Sequence, residues 1–292
     1  ISEVLSRLPG RVWTGGEVVG KHLLLASEQG LGDAIQFARY AQLLGEAGAK
    51  VSLACHPRLV RLLQSLPGAV DIQPIDGRLP KADLHAPLLS LPHLGGTLFE
   101  AIPAPIPYLT PEPDLVRHWT ERLGEGLKIG LAWQGNPAYE GDRTRSIPLA
   151  RLAPLCEASG TRFFSLQTEL GRDQLDRLGH ARIEDLGDEL DRDHAFIDTA
   201  AVMGNLDLVI TSDTAIPHLA GALGRPVWLL LPHTPDWRWG LEGTLCPWYP
   251  TMRLIRQPAP GDWRGAVDQA QAALDHWLTR GGAPNQAFDD LF

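Results

Sequence analysis

Short apolar runs alternate with amphipathic stretches along the 292-residue sequence, and this alternation constrains the fold more than any other feature. Strands are predicted at residues 23–26, 51–54 and 70–75, and helices at 33–48 and 57–66 lie between them. Strand–helix–strand alternation is typical of a parallel sheet whose crossover helices cover its faces. The sequence therefore predicts an α/β fold of the Rossmann-like, doubly wound kind.

The proline-rich segment 101–113 (AIPAPIPYLTPEP) interrupts this pattern. Such a segment cannot be a helix interior or a central strand, so an extended linker is predicted there. The alternation then restarts, with strands at 128–133, 162–166, 183–186, 206–211 and 227–231 and helices at 150–158, 169–178, 195–203, 215–223 and 264–278. We therefore predict two Rossmann-like domains, 1–113 and 114–263. Residues 264–292 add a helix that could cross back to the first domain, followed by a poorly ordered tail.

Composition excludes several function classes. The formal charge of −9 and the pI of about 5.5 argue against binding to nucleic acid or to anionic membranes. A nucleotide ligand stays open, because one diphosphate needs only a few local donors. The sequence contains no apolar run of transmembrane length and no signal peptide, so a cytoplasmic protein that does not span a membrane is predicted. Cys55, Cys156 and Cys246 lack metal-type spacing, which favours buried free thiols in a reducing compartment.

The first candidate site is the segment 28–33 (EQGLGD), which connects a predicted strand to a predicted helix. Ligands of doubly wound sheets bind outside the carboxyl ends of the strands, and glycines let backbone N–H groups approach them. The candidate contacts here are Gln29, Gly30, Gly32 and Asp33. Asp33 could face a cleft, or it could simply cap the helix.

The second candidate site follows the strand LDLVIT, at residues 212–218 (SDTAIPH). Thr214 and the N–H groups from Ala215 onward would form a helix N-terminus, which is a ready binding site for phosphate. His218 lies one turn after Thr214 and shares its face. The alternative is that Asp213 or Thr214 only caps the helix and that His218 packs in the core.

Two further loops carry polar and aromatic candidates. Trp133, Gly135 and Asn136 follow another strand, and Arg143 and Arg145 come soon after, where they could bind phosphate oxygens or lie on a solvated surface. Trp237 and Arg238 lie in the loop PDWRW, near the segment 247–250 (PWYP), where they could stack on a sugar or base or pack with each other.

These motifs together resemble glycosyltransferase family 9, the ADP-heptose:lipopolysaccharide heptosyltransferases. They resemble more closely the related C-terminal domains of bacterial tetratricopeptide-repeat proteins. The resemblance covers about residues 13–278 and rests on the runs EQGLGDAIQFARY, GLAWQGNP, DRTRSIPL, SLQ, LDLVITSDTAIPHLAGALGRPVWLLLP, DWRW and PWYPTMRL. It implies the GT-B architecture, in which two Rossmann-like domains face each other across a cleft.

The resemblance also implies roles for single residues. Asp33 matches the aspartate taken as catalytic base, and Arg145 stands where the family has a basic residue, usually lysine, at the donor phosphates. Asp213, Thr214 and His218 match the family's phosphate motif, in which Ala215 replaces a glycine. The donor sugar and nucleotide are left open by these changes. The full set of implied donor contacts is Gln29, Gly30, Gly32, Trp133, Gly135, Asn136, Arg143, Arg145, Gln167, Asp213, Thr214, Ala215 and His218, with Trp237 and Arg238 as sugar or base contacts.

The implied reaction is an inverting, metal-independent transfer, and no cofactor is expected. In the repeat-containing subgroup the acceptor is expected to be a protein, flagellin in some relatives, or a glycan. The sequence begins with Ile1, which suggests a longer natural chain with a preceding tetratricopeptide-repeat domain. Two alternatives stay open: a nucleotide-sugar 2-epimerase on the same scaffold, and a non-catalytic module that binds sugar nucleotides.

Overall fold

The first of two sheets is built from the N-terminal part of the chain. A computed structural model describes residues 8–99, 101–102, 106–178, 182–192 and 195–292. The strands of this sheet are β1 (Arg11–Val12), β2 (His22–Ala26), β3 (Lys50–Cys55), β4 (Val70–Pro74) and β5 (Leu84–Pro87), in the spatial order β1-β5-β2-β3-β4. All of these strands pair in parallel. In β2 and β3 successive residues are buried, as expected for strands that are covered on both faces.

The second sheet is built from the C-terminal part. Its strands are β6 (Leu127–Ala132), β7 (Thr161–Ser165), β8 (Ile183–Asp185), β9 (Leu208–Ser212), β10 (Val227–Leu231) and β11 (Met252–Arg256), in the order β11-β10-β9-β6-β7-β8. These strands also pair in parallel. The predicted fold class, two Rossmann-like parallel-sheet domains, is confirmed.

Helices and short 3₁₀ turns connect the strands. The helices are α1 (Leu31–Phe37), α2 (Arg39–Glu46), α3 (Val60–Leu63), α4 (Leu91–Leu94), α5 (Pro113–Leu123), α6 (Asp142–Arg145), α7 (Leu149–Leu152), α8 (Asp173–Leu178), α9 (Ile197–Gly204), α10 (Ala215–Ala222), α11 (Trp263–Arg280) and α12 (Pro284–Asp289). We call the first sheet with α1–α4 the first lobe, and the second sheet with α5–α12 the second lobe.

The helix predicted at 33–48 is two helices in the structure. The junction is Ala38, where the N–H of Ala41 bonds to the carbonyl of Ala38, three residues back. This tighter bond interrupts the regular i to i−4 pattern of an α-helix. The apolar periodicity continues across the junction, so it could not reveal the break.

The linker segment lies between the two sheets in sequence. The last strand of the first sheet ends at Pro87, and the first strand of the second begins at Leu127, so the proline-rich residues fall between them. Residues 103–105 of this segment are outside the described ranges. The backbone N–H groups of Tyr108 and Leu109 both donate to the carbonyl of Ala222, so the segment is attached to the second lobe.

The C-terminal residues differ from the prediction. Helix α11 packs on the second sheet, where Leu274 joins the same buried cluster as Ile255. These contacts do not support a crossing to the first lobe. The tail predicted to be poorly ordered contains α12, in which Phe288 is fully buried with its ring 5.9 Å from that of Trp228. The two glycines at 281–282 only end α11, and the chain then folds back.

Two other predictions concern composition. No helix among the described residues is long and apolar enough to cross a membrane. Cys55, Cys156 and Cys246 are free and buried, as predicted, and burial raises the pKa of each thiol to about 12. These thiols stay protonated at neutral pH and act as small apolar side chains.

Candidate functional site between the lobes

A cavity of about 910 Å³ lies between the lobes at the carboxyl ends of strands from both sheets. In the first sheet it is reached by the loop after β2, which lies between β5 and β3 in the spatial order. In the second it is reached by the loops after β6 and β9, which are neighbours in the sheet although their connections run to opposite sides. Both positions are topological switch points, where doubly wound sheets open a crevice for a ligand.

Most of the sequence-predicted site residues line this one cavity. They are Gln29, Gly30, Gly32, Asp33, Gly135, Asn136, Arg145, Gln167, Asp213, Thr214, Ala215, His218, Trp237 and Arg238. Two predicted contacts do not line it. Trp133 is fully buried in the core of the second lobe, with its indole N–H donated to the carbonyl of Gly171. Arg143 is exposed to solvent.

Asp33 both caps a helix and reaches the cavity. Its Oδ2 accepts the backbone N–H of Gly30 at 3.0 Å, which completes the first turn of α1. Its Oδ1 accepts a hydrogen bond from Nη2 of Arg238 at 2.8 Å, across the gap between the lobes. The side chain keeps 20% of its surface exposed. Capping and facing the cavity are therefore compatible at this residue.

Arg238 joins groups from both lobes. Besides Asp33, its Nε lies 3.0 Å from Oδ1 of Asp236, and its Nη1 lies 3.4 Å from Nε2 of His218. Only 11% of its side-chain surface is exposed. A guanidinium held by carboxylates in a partly dry site has a fixed orientation, so Arg238 is a preorganised positive charge at the cavity wall.

Gly32 is the point at which α1 meets α10. A Cβ atom built on Gly32 would lie 3.0 Å from Cδ2 of His218 and 3.1 Å from Cα of Ala215. These distances are shorter than ordinary contacts between carbon atoms. Glycine at this position therefore allows the two lobes to approach this closely.

The N-terminus of α10 forms the opposite wall. The side chain of Thr214 accepts the backbone N–H of Ile216 at 3.2 Å, so Thr214 caps the helix while it lines the cavity. Burial raises the pKa of the neighbouring Asp213 to about 6, although the positive charges of Arg238 and Arg145 oppose this rise. The wall therefore combines a helix N-terminus with an acid that titrates near neutral pH.

The loop after β6 supplies a second cation. Arg145 forms an ion pair with Asp142 at 3.3 Å, and its guanidinium lies 4.7 Å from the ring centre of Tyr139. A Cβ on Gly135 would lie 2.8 Å from Nη2 of Arg145, so a larger residue at this position would displace the guanidinium. The contacts with Asp142 and Tyr139 thus hold the guanidinium of Arg145 at the cavity.

Gln167 connects two loops at the edge of the cavity. Its Oε1 accepts the backbone N–H groups of Trp133 and Gln134 at 2.9 and 3.0 Å. Its Nε2 donates to the carbonyl of Leu170 at 2.6 Å. These bonds tie the loop after β6 to the loop after β7, so most of the side chain's bonding capacity is already used.

The aromatic loop lies partly in the cavity and partly in the core. Trp237 is 61% exposed and lines the cavity, which leaves its ring open to a planar ligand. Trp239 is buried and stacks on His218, with 5.2 Å between ring centres. Trp239 of this loop therefore packs in the core, while stacking of Trp237 on a sugar or base stays a prediction.

Several residues of this region escaped prediction. Arg39 is 1% exposed and contacts the rings of Tyr108 and Tyr249, the second of which is a hydrogen-bond partner of the cavity-lining His218. Its position four residues after the buried Ile35 was a usable signal, because it puts a charge on the apolar face of the helix. No sequence signal indicated Asp191, which lines the cavity with a left-handed φ of 56° and accepts the N–H groups of Asp198 and Thr199.

Within the parts of the chain that the structure describes, no group of three or more His, Cys, Asp and Glu side chains is arranged to hold a metal ion.

Comparisons with solved structures agree on the architecture. The family 9 glycosyltransferase of Veillonella parvula is 11% identical, with a TM-score of 0.62 over 95% of this chain and 99% of that one. The ADP-heptose heptosyltransferase II of E. coli is 14% identical, with a TM-score of 0.55 over 92% and 97%. The E. coli heptosyltransferase WaaC, solved with ADP, is 14% identical, with a TM-score of 0.54 over 88% and 98%. The chain has the GT-B fold of the heptosyltransferases. The cavity described above is the interdomain cleft of this GT-B fold.

Sequence comparison adds one relative. Protein FlbA of Caulobacter vibrioides is 31% identical over 301 residues, which cover 92% of this chain and 48% of that protein. The GT-B chain thus spans about half the length of the curated relative that it matches. No model of a known protein family matches the sequence.

Proposed function

We propose that the chain is a glycosyltransferase that moves a sugar from a nucleotide-sugar donor to a hydroxyl group of a protein or glycan. The observation that carries this proposal is the shared cavity, where Asp33 of the first lobe faces Thr214 and Ala215 of the second. Its volume lies within the range of about 300–1,000 Å³ that small-ligand sites occupy. The solved neighbours named for ADP-heptose or crystallised with ADP support a nucleotide-sugar donor.

In the proposed reaction the acceptor oxygen attacks the anomeric carbon from the side of Asp33. The new carbon–oxygen bond forms as the bond between that carbon and the phosphate oxygen breaks, and the electron pair of the broken bond leaves with the diphosphate. Asp33 takes the proton of the acceptor hydroxyl. Its carboxylate has room for this proton, since two oxygens offer about four acceptor sites and only two hydrogen bonds are described. A single displacement of this kind inverts the anomeric centre.

The leaving diphosphate needs positive partners, and the second lobe offers two. Arg145 lines the cavity beside the N-terminus of α10, whose dipole favours anions. Stabilisation of a leaving group by fixed donors is a large contribution in transfer reactions. We include metal independence in the proposal because these groups can take over the charge-neutralising task of a divalent cation.

The finer parts of the proposal rest on the sequence resemblance. They are a protein acceptor such as flagellin, a tetratricopeptide-repeat domain that recruits it, and a cytoplasmic location.

A binding screen tests the donor. Thermal unfolding is followed with a panel of nucleotide sugars and nucleoside diphosphates, because a ligand bound at 100 times its Kd adds about 2.7 kcal/mol of stability. For the ligand that binds most tightly, Arg145→Ala should weaken the binding free energy by about 1–3 kcal/mol, because a charge-assisted contact is lost. The matched control is Arg143→Ala, which removes an exposed arginine outside the cavity. Equal losses in both variants would contradict the assignment of Arg145.

A transfer assay with the same donor tests the chemistry. Asp33→Asn should keep donor binding within a few-fold and lower transfer by about 10²–10⁴, the usual contribution of a general base. Donor turnover with no acceptor present would favour an epimerase. Binding that survives Asp33→Asn with no transfer by the unmodified protein would favour a non-catalytic module.

A further inference from the structure

His218 lies at the centre of the contact between the lobes, and both of its ring nitrogens have a partner. Nε2 is 3.4 Å from Nη1 of Arg238, and Nδ1 is 3.2 Å from the hydroxyl of Tyr249. The ring is 1% exposed and stacks on Trp239. Gly221, one turn along α10, leaves the space in which the Tyr249 ring packs, since a Cβ there would lie 2.4 Å from that ring.

The chemistry of these partners decides the protonation of the ring. A guanidinium has only N–H donors, so Nε2 must offer its lone pair to Arg238. The ring proton is then on Nδ1, where it can be donated to Tyr249. Burial lowers the pKa of His218 well below its usual value, and the charges of Arg238, Arg39 and Arg145 add to this effect. Geometry and electrostatics therefore agree on a neutral ring.

The hydrogen-bond directions beyond Tyr249 are consistent with this assignment. The hydroxyls of Tyr249 and Tyr108 are 3.5 Å apart, and Tyr108 donates to the carbonyl of Ile35 at 3.0 Å. Tyr108 also accepts from Nη2 of Arg39 at 3.3 Å. If Tyr249 donates to Tyr108, each proton in the chain is used once. This series of hydrogen bonds starts at Asp33 and ends at Ile35 and Arg39, so both of its ends lie in the segment 33–39.

We propose that His218 is a positioning residue of the proposed transferase site, whose unprotonated Nε2 orients Arg238 so that Arg238 holds Asp33. This role rests on the proposed function, and it differs from a contact to the donor phosphates. Cδ2 of the ring faces Gly32, and neither nitrogen has an N–H that is free for a ligand. The positive charge at this part of the cavity thus comes from Arg238, in the loop after β10, and not from His218 of α10.

The protonation state is tested directly by ¹⁵N NMR of the ligand-free protein with labelled histidines. Comparison with His218→Gln assigns the resonance, and His93→Gln, at an exposed histidine of α4, is the matched control. We expect the Nδ1–H tautomer of His218, unchanged between about pH 5.5 and 8, where ordinary histidines titrate. An Nε2–H tautomer, or titration within this range, would overturn the proposal.

Kinetics test the positioning role. His218→Gln keeps an acceptor oxygen near the place of Nε2, whereas His218→Leu keeps only the bulk. We expect His218→Leu to lower kcat by roughly 10²-fold and to change donor Kd by less than about threefold, with most of kcat restored in His218→Gln. Loss of donor affinity with unchanged kcat would overturn it in favour of a phosphate contact. Absence of transfer in the unmodified protein would contradict the proposed function. The tautomer measurement does not depend on activity, so it would still test the protonation of His218.

Discussion

Asp213 combines burial with two nearby arginines, and this combination makes its ionisation sensitive to the fold. Burial dominates, so its pKa rises from 3.8 to about 6. Between these two values the folded protein binds the proton more tightly than the unfolded chain does. The free energy of unfolding therefore falls as the pH rises through this window, and the full cost of the buried charge is present at neutral pH.

This linkage predicts a specific pH dependence. On account of Asp213 alone, the protein should be more stable at pH 5 than at pH 7.5 by roughly 1–1.5 kcal/mol. Asp213→Asn should remove that contribution, since the amide does not titrate. The free energy of unfolding in urea is measured for both proteins at both pH values. The change with pH in the unmodified protein minus the change in Asp213→Asn gives the contribution of Asp213. Asp176→Asn, on the exposed face of α8, is the control. An identical pH dependence in Asp213→Asn and the unmodified protein would contradict the burial argument.

For single residues, the sequence could predict which cavity residues follow a strand, but it could not predict their hydrogen-bond partners in the other lobe. Asp33 and Thr214 were singled out because they stand between a strand and a helix, a position that local sequence reveals. The pair Asp33–Arg238 joins residues 205 positions apart. Local periodicity contains no information on such a contact, which arises only when both lobes have folded and docked.

The first turns of α1 and α10 are in contact at the cavity, and Gly32 makes their close approach possible. Gly32→Ala should force them apart, because the added methyl would overlap both His218 and the backbone of Ala215. We expect a loss of about 1–3 kcal/mol of stability, the usual cost of overpacking. Weaker donor binding should accompany it, since both cavity walls move. Urea unfolding and the binding screen measure the two effects.

The control for Gly32→Ala is Gly45→Ala in α2. A Cβ at Gly45 meets nothing within 4 Å. Alanine in a helix interior is favoured over glycine by roughly 0.5–1 kcal/mol, so this variant should be slightly more stable than the unmodified protein. Equal effects at the two glycines would show that helix propensity, and not the contact between the lobes, governs Gly32.

Among the elements, continuous apolar runs predicted strands well, and strands without such a run were missed. The runs at 23–26, 51–54 and 227–231 correspond to β2, β3 and β10, which are interior strands buried on both faces. The strands missed were β1, β5 and β11. Two of them lie at sheet edges, and β5 (LHAP) contains histidine and proline, so none presents a continuous apolar run. Their pairing is decided by neighbouring strands more than by their own residues.

On the scale of the whole molecule, the two lobes share one core. The largest buried cluster contains Leu25 and Leu53 of the first sheet together with Leu229 and Met252 of the second. Interfaces between domains of one chain are commonly more polar than this, and they permit relative motion. A shared apolar core instead couples the stability of the lobes, so the cleft keeps its walls in register without a ligand.

Arg39 adds a polar contribution to this coupling. From the first lobe it donates to the carbonyl of Trp248 in the second at 3.0 Å, and to the carbonyl of Gln36 in its own lobe at 3.0 Å. Its guanidinium also lies 4.8 Å from the ring centre of Tyr249.

Arg39→Met would fill the space but leave buried acceptors unpaired, at a cost of about 1–3 kcal/mol for each. Calorimetry should show one cooperative transition for the unmodified protein and two separate transitions for Arg39→Met. Arg122→Met, at an exposed position of α5, should unfold like the unmodified protein. If the unmodified protein already unfolds in two steps, the lobes are independent and the shared core does not couple them.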